Sequence, residues 1–305
     1  MVALTGATGF VGRALTHALL DAGFRVRALV RSTPSNWSHT RLEFIRGDLA
    51  SQGALKTLCR KAEMVFHVAG AIAGRTESDF VRVNAIGTRT LTDVLEQSPV
   101  RPRLVHVSSL AARMPALSAY AYSKHLSEQV VRSSRLDWIV IRPPAIYGPN
   151  DPALAPLWRM LARGWLLQAG LDTARFSLLH VDDLCLALVA LAHDAAWPTH
   201  QVLCLDDGRP DGYTWADIGN IATAVGGRRI RRVKISKRLL QGFAAINLGA
   251  SRMFGYTPLM SPGKVRELTH PDWVCGDNGA YSIPGWQAQR SLDRALPQLP
   301  GWNTA

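Results

Sequence analysis

A tyrosine and a lysine stand four residues apart in Tyr120-Ala121-Tyr122-Ser123-Lys124. On a helix that spacing puts Tyr120 and Lys124 on one face and turns Tyr122 away. An ammonium beside a phenol favours the phenolate and draws its pKa down from about 10. A tyrosine so tuned can exchange a proton with a substrate oxygen while hydride moves to or from a nicotinamide. Just upstream, Val105-His106-Val107-Ser108-Ser109 is an apolar run that ends in two hydroxyls. Near the start of the chain, Thr5-Gly6-Ala7-Thr8-Gly9-Phe10-Val11-Gly12 follows apolar Val2-Ala3-Leu4 and precedes an amphipathic helical pattern. It therefore reads as a strand-to-helix turn. One glycine there makes the turn, one lets the backbone approach a pyrophosphate, and one lets the helix pack closely on the strand. Phosphates then lie on the helix N-terminus, where free N–H groups and the positive dipole end favour an anion. The spacing is GxxGxxG, not the commoner GxGxxG. The strand before it, the helix after it and a second strand beyond Gly23 supply the context of a dinucleotide-binding loop.

These groups need a frame. Apolar runs at 2–5, 26–30, 42–45, 64–67, 104–107 and 138–141 read as strands, with helical patterns at 11–22, 53–60, 80–96 and 120–133 between them. Repeated strand–helix–strand units with short connections predict an α/β fold, a Rossmann-type doubly wound parallel sheet. In that architecture ligands sit at the carboxyl ends of the strands. After Arg142 the texture changes: Pro143-Pro144, Tyr147-Gly148-Pro149 and Asp151-Pro152 interrupt regular elements. The pattern resumes at 178–192 and 202–205 and gives way to isolated helices at 215–225 and 237–254. Two interleaved lobes are expected, a nucleotide-binding lobe at 1–142 and 178–205 and a smaller, substrate-binding lobe at 143–177 and 206–305.

Composition narrows the class. The chain has 305 residues, of which 47% are hydrophobic and 19% charged, as in a globular protein. No apolar run approaches the roughly 20 residues of a membrane-spanning helix, and the start of the chain lacks a secretory pattern. Cys59, Cys185, Cys204 and Cys275 show no CxxC spacing and read as reduced thiols of a cytoplasmic protein. The formal net charge of +12 is the unusual number. It can mean nucleic acid, an acidic membrane surface, or anionic ligands steered by a positive field. The one dense run, Arg228-Arg229-Ile230-Arg231-Arg232-Val233-Lys234, alternates and reads as a charge-protected strand edge, so nucleic acid is not expected as a partner.

Taken with Gly47-Asp48-Leu49, Phe66-His67-Val68-Ala69-Gly70, Asn84, Arg142-Pro143-Pro144, Tyr147-Gly148-Pro149, His180-Val181-Asp182-Asp183 and the closing Gly301-Trp302, these motifs resemble the short-chain dehydrogenase/reductase superfamily. The resemblance is to its extended branch of NAD(P)-dependent epimerases and dehydratases, and it covers most of the chain. It implies Tyr120 as proton donor or acceptor, and Lys124 as the residue that lowers its pKa and holds the nicotinamide ribose. Ser109, ahead of Ser108, would bind the reacting oxygen, and Asn84 would support the proton relay. Cofactor contacts would come from Gly6, Thr8, Gly9, Phe10, Val11, Gly12 and Arg13, from Asp48 and Leu49 beside the adenine, and from Val68, Ala69 and Gly70. Ser108 and Pro143 would line the nicotinamide end. Duller readings stand beside some of these. Asp48 could cap the next helix, Asn84 could bond its own backbone, and His180 with Asp182-Asp183 reads as a helix start, not a metal site.

Where NAD enzymes commonly place a ribose-binding carboxylate, this chain has Val30, then Arg31, Ser32 and Thr33. Arginine and hydroxyls would bind a 2′-phosphate through charge-assisted hydrogen bonds, so NADP is expected over NAD. Only ten residues separate Ser109 from Tyr120, and Ala111-Ala112-Arg113-Met114-Pro115 follows the serine pair with no acidic residue. That leans towards a reductase or alcohol dehydrogenase acting on an apolar carbonyl or alcohol. Two alternatives stay open. One is a nucleotide-sugar epimerase with tightly held cofactor, its diphosphate met by Arg159, Arg163 and Arg175. The other is a non-catalytic NADP(H)-binding assembly subunit. Relatives often dimerise through the helices holding Asn84 and Tyr120, so a homodimer is possible.

Overall fold

Short apolar runs separated by helices wind into one parallel sheet of seven strands. The computed structural model describes residues 1–34, 37–194, 199–258, 260–276 and 283–302; the parts of the expected smaller lobe at 259, 277–282 and 303–305 lie outside them. Six strands come from the first half: β1 (Val2–Thr5), β2 (Val26–Val30), β3 (Leu42–Arg46), β4 (Met64–His67), β5 (Arg103–Val107) and β6 (Trp138–Arg142). After them β7 (Ala145–Tyr147), β8 (Trp165–Ala169), β9 (Arg175–Phe176) and β10 (Leu178–His180) leave the sheet, and β11 (Gln201–Cys204) returns to its edge. The order is β11-β6-β5-β4-β1-β2-β3. The chain winds outward from β1 and crosses back to β4, so the sheet reverses between those two, the point at which such sheets bind ligands.

Alternate residues of each strand feed opposite faces. Leu4, Phe66, Val105 and Ile139 pack with α1 (Phe10–Asp21) and, later in the chain, with the helix at Val181–His193. Their neighbours Ala3, Val65, Leu104 and Val140 pack on the other face with α2 (Gln52–Cys59) and the helices that follow it. Every residue of β1, β2 and β4 is buried, which is why these strands read as mostly apolar and not as alternating; the exception inside them, Arg27 of β2, donates to Glu43 and to the backbone oxygens of Thr57 and Arg60.

The helix expected over 80–96 is corrected to three pieces. A capping box from Thr76 and Asp79 starts α3 (Glu77–Val81) early. One wide turn of π-helix, Arg82–Ile86, follows, and α4 (Gly87–Glu96) continues from it. Next come α5 (Ala119–Arg132), α6 (Ala155–Ala162) and α7 (Val181–His193).

A third apolar cluster gathers Tyr147, Trp158, Leu161, Leu166, Tyr213, Ile218 and Leu296. It is built from α6, α8 (Trp215–Gly226) and elements further on: α9 (Lys237–Phe254), α10 (Pro262–Leu268) and α11 (Leu292–Ala295) complete the chain, with only α11 reaching this cluster. The basic run forms β12 (Arg231–Ile235), paired in parallel with β8, and β13 (Asp272–Trp273) pairs with β9. β12 is exposed as expected. Trp158 is core, whereas Trp165 is half-exposed under the Arg231 guanidinium.

Candidate active site

The glycine loop connects β1 to α1 at the reversal point. Gly6 sits at φ +77°, and a Cβ there would lie 2.6 Å from the Ala69 nitrogen. A Cβ on Gly12 would lie 2.0 Å from the Gly6 oxygen. Both positions therefore demand glycine, the first for conformation and contact, the second because the helix rests on the turn's own backbone. Gly9 is the N-cap of α1, with no side-chain cap and no acidic residue in the first turn. The N–H groups of that turn are left for an anion, which fits the pyrophosphate of a dinucleotide. Thr8 and Gly9 are exposed, Phe10 and Val11 partly so. Gly12→Ala is expected to weaken dinucleotide binding at least about tenfold, measured by fluorescence titration.

Tyr120 and Lys124 lie in the first turns of α5, whose N-cap Ser118 accepts from the Ala121 nitrogen. Ser109 ends the loop after β5 and stands beside the phenol. Burial pushes Tyr120 up to about 12; the Ser109 hydroxyl draws it down, and the Glu267 carboxylate pushes it further up. The phenol is thus protonated, not lowered as the Tyr–Lys spacing suggests. The physical reason is that desolvation dominates and the Lys124 ammonium donates to the Val107 oxygen at 2.9 Å. Lys124 is 4% exposed, and burial draws it down to about 8 against the pull of Glu128.

That shift has a thermodynamic sign. Between about 8 and the ordinary 10.5 the unfolded chain binds more protons, so stability rises with pH across that window, and at pH 7 the full penalty of the buried charge is present. The penalty is about 3 kcal/mol, offset by about 1 kcal/mol for the bond to Val107. Lys124→Met is therefore expected to raise the Tm of the cofactor-free protein at pH 7 by about 2–4 °C while disabling the site. The gain should vanish by pH 10.5; a scanning fluorimetry series across pH checks both.

Asn84 lies in the π-helical turn and is buried. Its side chain does not bond its own helix. The amide oxygen accepts from the Ala71 nitrogen at 2.7 Å, and the amide nitrogen donates to the Ala71 oxygen and to Ser123 Oγ. One side chain thus ties the loop after β4 to α5. A Cβ on Gly70 would lie 3.2 Å from the Asn84 oxygen and 3.8 Å from Lys124 Nζ, so Gly70, Asn84 and Lys124 converge. Below them, His67 is held between the Thr5 and Thr88 hydroxyls at 2.7 and 2.8 Å and stacks on His106. Burial, helped by Lys124, draws His67 down to about 3 and His106 well below its ordinary value. Both are neutral packing groups under the site.

Other expected residues are placed as follows. Arg31 and Ser32 are exposed just beyond β2, and Arg13 lies over the Trp37 ring. Asp48 accepts from the Ala50 nitrogen and Ser51 Oγ ahead of α2, with Arg31 close enough to help hold it ionised. Leu49 packs where a Cβ on Gly87 would fall. Val68 and Ala69 follow β4 beside Gly6. The Pro143 oxygen accepts from the Leu110 nitrogen, fastening the loop after β6 to the one after Ser109. His180 is the N-cap of α7 and accepts from Asp182, the helix-start reading. Asp183 is fully buried and accepts from the nitrogens of Gln289 and Arg290.

Three features are missing from the sequence reading. Ser108 Oγ donates to Glu128 Oε1 at 2.5 Å, and Arg142 grips the same carboxylate through Nε and Nη2, the latter at 2.6 Å. Glu128 stands four residues after Lys124, so helical spacing carried the signal. Glu267 of α10 accepts from Ser118 Oγ, which clamps the C-terminal region onto the N-terminus of the helix bearing Tyr120; nothing local announced it. Cys204 and Cys275 are neighbours, and the Cys204 thiol is drawn down to about 7 by the Cys275 thiol, with Arg142 and Arg113 contributing.

Comparison with known proteins agrees with this geometry. Residues 2–203 match the model of the NAD dependent epimerase/dehydratase family. The chain is 38% identical over 276 residues to a "Ceramide reductase" of Caulobacter vibrioides, covering 90% of this chain and 86% of that one. It is 30% identical to the "4-hydroxy-2-methyl-3-oxo-4-farnesyl-3,4-dihydroquinoline-1-oxide ketoreductase" of Stigmatella aurantiaca, covering 68% of each. Among solved structures, MoeE5 in complex with UDP-glucuronic acid and NAD superposes with a TM-score of 0.73 at 24% identity, over 99% of this chain and 98% of the other.

Proposed function

Because this chain belongs to the NAD dependent epimerase/dehydratase family, we propose that it reduces a ketone on a long-chain, apolar substrate, with NADPH as the hydride source. The observation that carries this reading is the meeting of Tyr120, Ser109 and Lys124 at the carboxyl end of the sheet, beside the bare N-terminus of α1. A reduced nicotinamide, when bound, supplies hydride. The chain's own groups supply the rest. Ser109 hydrogen-bonds the carbonyl oxygen and sets it against the phenol. Tyr120, protonated at neutral pH, gives its proton to that oxygen as the carbonyl carbon gains hydride, so the ketone becomes a secondary alcohol. Lys124, fixed by Val107 and faced by Glu128, stabilises the phenolate that remains. Asn84 positions the β4 loop against α5.

The substrate class is supported by the relatives, whose names specify reduction of a ceramide and of a farnesyl ketone. The smaller lobe, 143–177 and 206–305, would receive the chain. The solved structures with UDP-sugars are under 25% identical and share the fold. The preference for NADP rests on exposed Arg31 and Ser32 after β2, with no carboxylate ending that strand. Arg31→Ala is expected to weaken NADPH binding about tenfold and leave NADH unchanged; equal NADPH affinity in the two proteins would sink the assignment. An apolar groove of about 520 Å³ between the π-turn, α4 and α5, lined by Val81, Ile86, Leu126 and Val130, is where a homodimer would form. The four scattered cysteines, with no CxxC spacing, support a reducing, cytoplasmic setting.

A further inference from the structure

Helix α9 turns its apolar side to solvent. Leu239, Phe243, Ile246, Met253 and Phe254 are each more than 60% exposed. Their spacing of four, three, seven and one residues puts them in a single stripe along one face. The opposite side is the one the protein covers: Ala244 and Ser251 are buried, and α10 packs against the helix. The stripe is the inverse of what a solvent-facing helix carries, and five large apolar groups in register exceed scattered surface hydrophobics.

The charge around it is one-sided. From Ile218 to Arg266 the sequence holds ten Lys and Arg and no Asp or Glu, which is most of the net charge of +12. Lys234 pairs with Asp172 and Lys264 with Glu267; no salt bridge among the described residues holds the other eight. Arg231, Arg232, Val233 and Lys234 of β12, just ahead of α9, are exposed, and Lys237 and Arg238 open the helix. An apolar face bordered by unpaired cations is the pattern of a helix that lies in a membrane interface, apolar side among the acyl chains and cations among anionic headgroups.

We propose that α9 docks this protein on the surface of an anionic lipid bilayer. The helix does not span one: no helix among the described residues is long and apolar enough, and one side of α9 is already occupied by the protein. A second copy of the chain fits less well, because a two-fold contact through this face would bring two equally cationic surfaces together. Docking would also bring the site to the membrane, since α9 runs into α10, and Glu267 of α10 holds Ser118, two residues before Tyr120.

The test is flotation of the full chain with vesicles of phosphatidylcholine alone and of phosphatidylcholine mixed with phosphatidylglycerol, at low and high salt. Wild type is expected to float with the anionic vesicles, less so in high salt, and to stay behind with phosphatidylcholine. The exposed-face variant Phe243→Ser/Ile246→Ser/Met253→Ser should lose at least about tenfold in partitioning, with an unchanged melting curve showing that it folds. Arg228→Gln/Arg229→Gln/Arg238→Gln should weaken binding to the anionic vesicles in the same direction. Wild type that ignores anionic vesicles, or a triple serine variant that floats as well as wild type, would overturn the proposal. So would sedimentation showing a dimer that the serine variant breaks while vesicles capture neither. The vesicles hold no ketone or cofactor, so failure here leaves the reductase reading standing.

Discussion

Tyr120→Phe is expected to lower the turnover of ketone reduction by about 10²–10⁴-fold, the range of general acid–base catalysis, and to leave cofactor affinity and Tm unchanged. The change removes one oxygen. No described backbone or charged group depends on that oxygen; its neighbours are the Ser109 hydroxyl and, at longer range, Glu267. The ring, packed edge-on to Phe80 at 6.2 Å between centroids, stays. The phenol is held above its ordinary value, so its proton is present at neutral pH and the loss should be flat between pH 6 and 9. Steady-state kinetics beside a melting curve and an NADPH titration decide the point. A variant that keeps its rate would remove Tyr120 from the chemistry and revive the assembly-subunit reading.

Arg142→Met is expected to destabilise the fold by about 3–5 kcal/mol, because it leaves the buried Glu128 carboxylate without the guanidinium bonded to it. Glu128 is 2% exposed and takes two guanidinium nitrogens and the Ser108 hydroxyl. Removing the arginine leaves the carboxylate one hydrogen bond, from Ser108, and only the Lys124 ammonium, itself bonded to Val107, as a counter-charge. The double variant Glu128→Met/Arg142→Met should recover much of the loss, since replacing both members of a buried pair by apolar groups is often neutral. Urea unfolding monitored by tryptophan emission measures both. The pair also matters to the site, because Ser108 precedes Ser109 and Glu128 faces Lys124. The double variant is therefore expected to fold while losing rate, which separates stability from function.

The fold was legible because its signals are local. The buried strands β1, β2 and β4 are short and mostly apolar, Arg27 of β2 apart, and their helices carry one apolar stripe each, so periodicity placed them within a residue or two. Gly6 and Gly12 were legible because only glycine tolerates those contacts. The break in 80–96 was not legible: Arg82–Ile86 keeps helical periodicity, and its widened turn coincides with the contact of Asn84 with Ala71 in the loop after β4. Distance in sequence likewise hid the Glu267–Ser118 clamp, 149 residues apart. The sense of the Tyr120 shift depends on burial, which spacing does not encode.

One measurement bears most directly on the reductase reading: absorbance at the NADPH band during incubation of the purified protein with NADPH and a long-chain 3-oxo amphiphile, with product identified by mass spectrometry. One NADPH oxidised for each ketone converted to a secondary alcohol, lost in Tyr120→Phe, is the result predicted. Substrate isomerised with no net loss of NADPH, on cofactor that stays bound through dialysis, would contradict it and make the chain an epimerase.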